Sequence, residues 1–500
     1  MALIPRELVV ELLTLLKDDC LWERPELVSA TIDRVRQVLQ GIDEALAELG
    51  TGGTTISFTT AVDGAPHLEA LRVWLDSCSV STLGGGCYRY AASQDSTKGN
   101  AVVALKDIEA GEEVMRVPRK AMLSAKFGLG PHPSICASLL PHFEDNSVLQ
   151  LAVVVAYHKM QNESSFFRPF LDVLPNEFTI PLYWSSEVFS CFQHTATACR
   201  AAKSFRAAVM LYFRALSTIE RVNIEAFPSA SFTWSLFRWS LSAVLTRQNH
   251  IPSLESIATA EEHPGTVAAL VPGWDMMNHA PGKMTSQYDE RENCLVFAAM
   301  ASCKAGDEIC MCYGYRMNEL YLLYSGFCMQ DNPYDAVDLV IPVEQDDLKK
   351  IRDCLVRSVI GPDSPVELQN DGMVIVPLRR DENALPSVAT FCALASVVDR
   401  AEAAAIIRSR ITNYNELAAS GLISEETKLK TSKLLNSALL ACIEKLQLAS
   451  SSFDAAHAAA SPTNINHSAV LNACMNFLQG QADILRSKLD QGTAVDSSGF

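Results

Sequence analysis

The chain contains no stretch of 18 consecutive apolar residues free of charge, which excludes a helix able to cross a bilayer. It is also short of positive charge. Its 41 lysines and arginines face 58 aspartates and glutamates, leaving a formal net charge of −17. A surface of that sign repels phosphate backbones, so nucleic acid is excluded as a partner and a neutral or basic protein is favoured. An even framework of closely spaced cysteines is missing too: the 15 present are scattered and odd in number. The first apolar run is broken by Arg6, Glu7 and Glu11, which marks an amphipathic helix rather than an export signal. Together these features read as reduced, largely buried thiols in a cytoplasmic protein. Cys310 and Cys312 invite comparison with a zinc site, but beyond Phe327 only Cys328 follows closely. The ligand set is incomplete, and no metal is expected. There is no internal repeat. With 48% hydrophobic and 20% charged residues, extensive disorder is not expected either.

At 500 residues the chain exceeds one ordinary core, and two or three are expected. Residues 1–50 predict two helices, through Leu8, Val9, Leu12, Leu15 and Leu16 and then Ile32, Val35, Val38 and Leu39. Thr51 to Thr55 breaks the pattern. A short helix over Leu68 to Leu75 ends before Gly84 to Gly86. From Gly99 the period changes to two: Ala101 to Leu105 and Glu113 to Val117 read as strands around the turn Glu109 to Gly111. Residues 130–245 read as mainly helical, notably Val148 to His158, Ala198 to Ile224 and Phe232 to Arg247. Leu254 to Val267 is a polar connector. Strands resume at Ala268 to Val271, Cys294 to Ala298 and Glu308 to Tyr313. Val337 to Pro342 is expected to be the last strand, followed by helices over Pro386–Ile411, Ser424–Leu448 and Ala469–Leu489, with Ala449–Pro462 as a linker and Val495–Phe500 frayed.

The stretch from Val271 to Phe327 organises the rest. Val271 to His279 (VPGWDMMNH) places Asp275, Asn278 and His279 beside apolar Trp274, Met276 and Met277. Asp307 to Arg316 (DEICMCYGYR) alternates Ile309, Met311 and Tyr313 against Cys310 and Cys312, and Gly314 permits a sharp exit. Tyr324 to Phe327 (YSGF) closes the stretch.

An Asn-His pair some thirty residues before a Gly-Asp-Glu…Tyr-Gly run resembles the SET-domain protein methyltransferases. Thr246 to Pro252 (TRQNHIP) and Ser325 to Phe327 narrow the resemblance to the branch of the Rubisco large-subunit lysine methyltransferases and, more closely, the actin-histidine methyltransferases. It covers roughly residues 80–345. The implied fold is α+β: a helical lead-in (1–80), a SET-domain β-fold (81–335) with a long helical insert at about 128–245, and an all-helical substrate-binding domain (336–500).

The implied cofactor is S-adenosyl-L-methionine. Methyl transfer is an in-line displacement, so the protein must hold the donor, align the acceptor and exclude water. The resemblance makes Tyr313 the catalytic residue beside the sulfonium. Arg247, Asp275, Met276, Met277, Asn278, His279, Ser325, Gly326 and Phe327 become cofactor-binding, with Arg247 clamping a carboxylate. Asn249 matches the position that orients an acceptor ring, and Arg316 a substrate contact. A histidine acceptor needs its ring fixed by a hydrogen bond at one nitrogen, which a side-chain amide can supply. The implied reaction is therefore methylation of a histidine of actin by a monomeric enzyme, with a lysine methyltransferase or a non-catalytic SET-derived binding module as alternatives. Two positions depart from the family pattern. Its Gly-x-Gly turn and following Arg read Gly99-Asn-Ala101 and Val103 here, and its acidic residue after Pro-Arg-Lys has no clear match, Ser124-Ala-Lys126 following with a small deletion. Losing one charge-assisted hydrogen bond costs ~1.5–3 kcal/mol, about one to two decades in cofactor affinity.

Overall fold

The structure, a computed structural model, describes residues 4–49, 64–80, 90–95, 99–125, 133–253, 265–360, 366–368, 373–380, 384–460 and 465–496. The expectations for Thr51 to Thr55, Gly84 to Gly86, the polar connector over 254–264 and the last four residues fall outside them.

Helices α1 (Arg6–Lys17), α2 (Cys20–Glu23) and α3 (Pro25–Leu49) replace the two expected at the start. In α3, Val28, Ile32, Val35, Leu39, Ile42 and Leu46 fall on one stripe and all are buried, so the 3.6-residue period builds its core face. After α4 (Gly64–Ser77), strands β1 (Tyr90–Asp95) and β2 (Gly99–Ala104) pair antiparallel. Strand β3 (Glu113–Pro118) and the short β4 (Leu123–Ser124) follow.

The helical insert comprises α5 (Pro133–Ser138), α6 (Ser147–Gln161), α7 (Arg168–Leu171), α8 (Ser186–Cys191), α9 (Ala196–Val222) and α10 (Trp234–Arg247). Its centre is α6. Asn146 caps it by accepting from the Leu149 N–H at 2.9 Å, and every residue from Leu149 to His158 is buried. A helix apolar on all sides must be enclosed, and α6 packs against α10, β4 and the strand Thr266–Leu270. Ser240 and Ser242 are completely buried on α10, where their hydroxyls donate to the carbonyls one turn back.

At Gln248 the backbone turns extended and α10 passes directly into β5 (Asn249–Pro252), which pairs with β6 (Thr266–Leu270) in the order β4–β6–β5. Asn249, two residues past the helix end at Arg247, opens this strand opposite Ala269. Strands β7 (Ser286–Asp289) and β8 (Cys294–Ala298) form a second small sheet in the order β3–β8–β7.

The part beyond residue 336 is helical but not all-helical. Strand β9 (Ala336–Pro342) is not the last: β10 (Glu367–Leu368) and β11 (Met373–Arg379) join it in the order β10–β11–β9. Val374, Val376 and Leu378 are buried there, alternating as a strand requires. The expected helix over 386–411 divides into Ala384–Ser396 and Arg400–Ser409, because Asp399 caps a new start by accepting from the Glu402 N–H at 2.8 Å. The expected linker from Ala449 is a correction in the opposite sense. Helix Glu425–Ala459 runs through it, with Ala449, Phe453 and Ala456 buried, since alanine is the strongest helix former. The final helix, Ile465–Asp496, packs along it.

Candidate functional site

The spine of the site is the segment from Asp307 to Tyr313. Its alternation suggested a regular strand, and Ile309 and Met311 are indeed buried, yet no continuous ladder forms. The segment runs between two partners of opposite sense. On one side Ala104 N–H donates to Asp307 O at 2.9 Å and Ile309 N–H to Val102 O at 2.7 Å, antiparallel to β2. Two residues later Met311 N–H donates to Asn278 O at 2.9 Å and Ala280 N–H to Met311 O at 3.0 Å, parallel to the Asn278–Ala280 loop. The change of partner divides the pairing into isolated bridges. It also brings the Asn-His pair against the last turn before Gly314.

Asn278 spends its amide on the protein: Nδ2 donates to Glu308 Oε1 at 2.7 Å and to Asn100 O at 3.2 Å. It therefore joins the threaded segment to β2. His279 accepts from the Tyr313 N–H through Nδ1 at 3.0 Å, and its Nε2 lies 3.2 Å from the Tyr321 hydroxyl and 3.0 Å from Met329 Sδ. An acceptor at Nδ1 requires the neutral ring with its proton on Nε2. Burial, aided by the nearby Arg316 charge, holds its pKa below the ordinary histidine value.

Tyr313 is half-buried, and its hydroxyl donates to the Met277 carbonyl at 2.8 Å. Burial pushes the phenol up to about 12, so it remains protonated at neutral pH. Arg247, Asp275, Cys310 and Glu308 are the charged or ionisable groups that act on it. Arg247 does not clamp a carboxylate of the protein: Nη1 donates to the backbone carbonyl of Asp275 at 2.7 Å, and Nε has no partner among the described residues. The Asp275 side chain is 96% buried by residue area (4% exposed), and neither carboxylate oxygen meets a partner from another described residue. Burial pushes it up to about 7 against the opposing pull of Arg247. Such an orphaned carboxyl beside a half-engaged guanidinium is the mark of a site rather than of a core.

The remaining expected residues gather around this centre. Met276 and Met277 point into the core, so only their backbone faces the site. Ser325 and Gly326 both donate their N–H groups to Tyr321 O at 2.8 Å. Gly326 has φ 78°, and a Cβ there would lie 2.0 Å from Thr179 Oγ1. Phe327 stacks on Tyr321 with ring centroids 5.0 Å apart and meets Tyr313 edge-on at 6.1 Å. Asn249 is half-buried, its Nδ2 donating to Arg247 O at 3.3 Å. Arg316 is exposed two residues past Gly314. Val103 bridges Glu308 on β2.

Sequence reasoning missed Tyr321, whose hydroxyl also donates to Gly314 O at 2.6 Å, and Glu308, which fixes Asn278. Glu308 lies in the very stretch singled out, but nothing local distinguishes it from a solvated carboxylate.

Residues 99–314 match the SET domain family. The chain carries a SET domain. The same fold is present in solved structures described as the SET domain of LSMT bound to lysine and AdoHcy and as Rubisco LSMT bound to AdoMet. Their TM-scores are 0.59 and 0.53 at 15% and 16% identity, over 86% and 85% of this chain and 93% and 92% of theirs. By sequence, the chain is similar to proteins named actin-histidine N-methyltransferase. The Mus musculus protein is 29% identical over 334 residues, which is 65% of this chain and 51% of that one. The Homo sapiens protein is 28% identical over 258 residues, 50% and 41% respectively. This SET-domain chain thus spans about half the length of the curated relatives it matches.

Proposed function

We propose that this SET-domain protein is an S-adenosylmethionine-dependent protein methyltransferase that places a methyl group on a histidine ring nitrogen of actin. The observation that carries the reading is the convergence of the fixed Tyr313 hydroxyl with the buried, unpartnered carboxylate of Asp275 and the half-engaged Arg247. A zwitterionic amino-acid tail complements those two groups, with its ammonium toward Asp275 and its carboxylate toward Arg247 Nε. The cofactor supplies a methyl group bonded to a positively charged sulfur. Tyr313 stays neutral and fixed by Met277 O, so its oxygen offers lone pairs to polarised C–H groups and its ring walls the transfer path. Tyr321, Phe327 and His279 pack as an aromatic wall beside Tyr313. The fold match to structures bound to AdoMet and AdoHcy supports the choice of cofactor.

Asn249 and the names of the sequence relatives support a histidine acceptor. Among the described residues its Nδ2 makes only a long bond to Arg247 O, so the amide is available to hold an imidazole nitrogen. Residues 336–500 are assigned to substrate binding and the working unit to a monomer in the cytoplasm. A lysine acceptor is the second reading, favoured by the neighbour described with lysine bound. The decisive experiment incubates the protein with S-adenosylmethionine and unmethylated actin and locates the methyl by peptide mass spectrometry, with Tyr313→Phe alongside. Methylhistidine that falls in the variant is expected. Methyllysine would replace the acceptor assignment, and failure to bind cofactor by calorimetry would overturn the enzymatic reading.

A further inference from the structure

Just past the Gly314 turn, two large aromatic side chains stand in solvent. Tyr315 is 56% exposed and Tyr334 50%, with ring centroids 4.9 Å apart at a tilt of 47°. They come from segments nineteen positions apart, and a buried polar network holds them together. Asn332 is fully buried. Its Nδ2 donates to Arg316 O at 2.8 Å and to Asn318 Oδ1 at 3.2 Å, and its Oδ1 accepts from the Tyr334 N–H at 3.0 Å. Asn318 is tied in turn to Asp335, its N–H donating to Oδ1 at 2.8 Å and its Nδ2 to Oδ2 at 3.0 Å. Every member of this network is satisfied, so the two tyrosine backbones are fixed before anything binds. Neither ring serves the core, and tyrosine faces held in advance give contact area at little entropic cost.

Two further observations define the occupant. Tyr315 follows Tyr313 by two residues, so its backbone lies at most about 7 Å from that of the proposed catalytic residue, and Tyr334 stands against its ring. Arg316, next to Tyr315 in the chain, is exposed, and its guanidinium has no hydrogen-bonded or ion-paired partner among the described residues, in a chain whose net charge is −17.

We infer that Tyr315 and Tyr334 form the outer docking platform for the acceptor polypeptide, gripping an extended segment that carries an aliphatic side chain or proline beside a carboxylate. The apolar residue lies across the two phenol rings and the carboxylate meets Arg316. The inference rests on the methyltransferase reading for its orientation, not for its contacts.

Two measurements test it. With actin as acceptor, the double variant Tyr315→Ala/Tyr334→Ala raises KM about tenfold, the range for losing a pair of aromatic anchors. It leaves kcat and the dissociation constant for S-adenosylhomocysteine unchanged, and Tyr315→Phe/Tyr334→Phe restores KM. An unaltered KM in the alanine variant overturns the platform. Separately, a random dodecapeptide phage library is panned on the full-length protein loaded with S-adenosylhomocysteine. Wild type is expected to enrich peptides pairing an aliphatic residue or proline with a carboxylate, and the alanine variant to lose that enrichment. Identical selections, or none by wild type, overturn the inference. If actin is not methylated at all, the acceptor assignment falls while the library still decides the platform.

Discussion

The Asp43 carboxylate, on α3, accepts the backbone N–H of Trp234 at 2.7 Å and so caps α10 from outside. Thr233 caps the same end by accepting from Leu236 at 3.2 Å. Two acceptors at one helix start hold the element whose far end delivers Arg247 and Asn249.

Burial pushes the Asp43 carboxyl up to about 6, against its hydrogen bonds from Trp234, Ser235 and Tyr212. An acid raised on folding binds more protons in the native state. Its stabilising contribution is therefore full below the unfolded value near 3.8 and is lost as pH rises through 6. Asp43→Asn keeps an acceptor and removes the titration. It should gain about 1–2 kcal/mol over wild type at pH 7.5 in urea unfolding, with the gain vanishing near pH 4. Asp43→Ala should lose about 1 kcal/mol at low pH by abandoning the cap.

Asp275 behaves in the same sense over a wider window, from 3.8 to about 7. Asp275→Asn should raise Tm at pH 8 and converge on wild type below pH 4. Weaker binding of S-adenosylmethionine by calorimetry should accompany the gain, the usual exchange at a site that holds a buried charge for function. A more stable variant with undiminished binding would separate Asp275 from the cofactor.

Gly326 admits no side chain. Its φ of 78° is unfavourable for alanine, and the added Cβ would lie 3.2 Å from the Thr179 carbonyl carbon as well as against the hydroxyl. Gly326→Ala should cost about 2 kcal/mol or more in equilibrium unfolding. Thr179→Ala should not rescue it, because the backbone contact and the dihedral remain.

Arg200 on α9 binds both oxygens of Glu319 at 2.6 Å and also pairs with Asp338 on β9. Glu319 is buried and also accepts from Thr197 at 2.8 Å. Arg200→Ala would leave that carboxylate uncompensated, at about 2 kcal/mol once the partial exposure of Arg200 is allowed for. Arg200→Ala/Glu319→Gln should recover most of it. A non-recovering double variant would show that packing, not charge, ties the insert to β9.

The candidate site's residues could be picked out because they are local in the chain: Asp275, Asn278 and His279 lie within five positions, and Tyr313 with Gly314 ends an alternating run. What joins those runs was not. The bonds from Asn278 to Glu308 and from Ile309 to Val102 span residues that no period connects. Helices followed their 3.6-residue stripes, as α3 and α6 do, and failed at termini set by single side chains such as Asp399. Ala449 to Ala459 read as a linker because alanine gives no contrast between faces, although it favours the helix found there. Met373 to Arg379 was overlooked because its partner, β9, lies thirty residues back.

The threading of Asp307–Tyr313 between β2 and the Asn278–Ala280 loop bears on how the molecule comes into being. Ala104 meets Asp307 only after the whole insert has been synthesised and closed into a loop of some two hundred residues. Helices such as α3 and α6 can form from neighbours in sequence, but this junction must wait for a closure of some two hundred residues. The candidate site is thus assembled after the helices around it. A ribosome-bound chain that has not yet released residue 313 can be well stocked with helices while Tyr313 has still to meet His279.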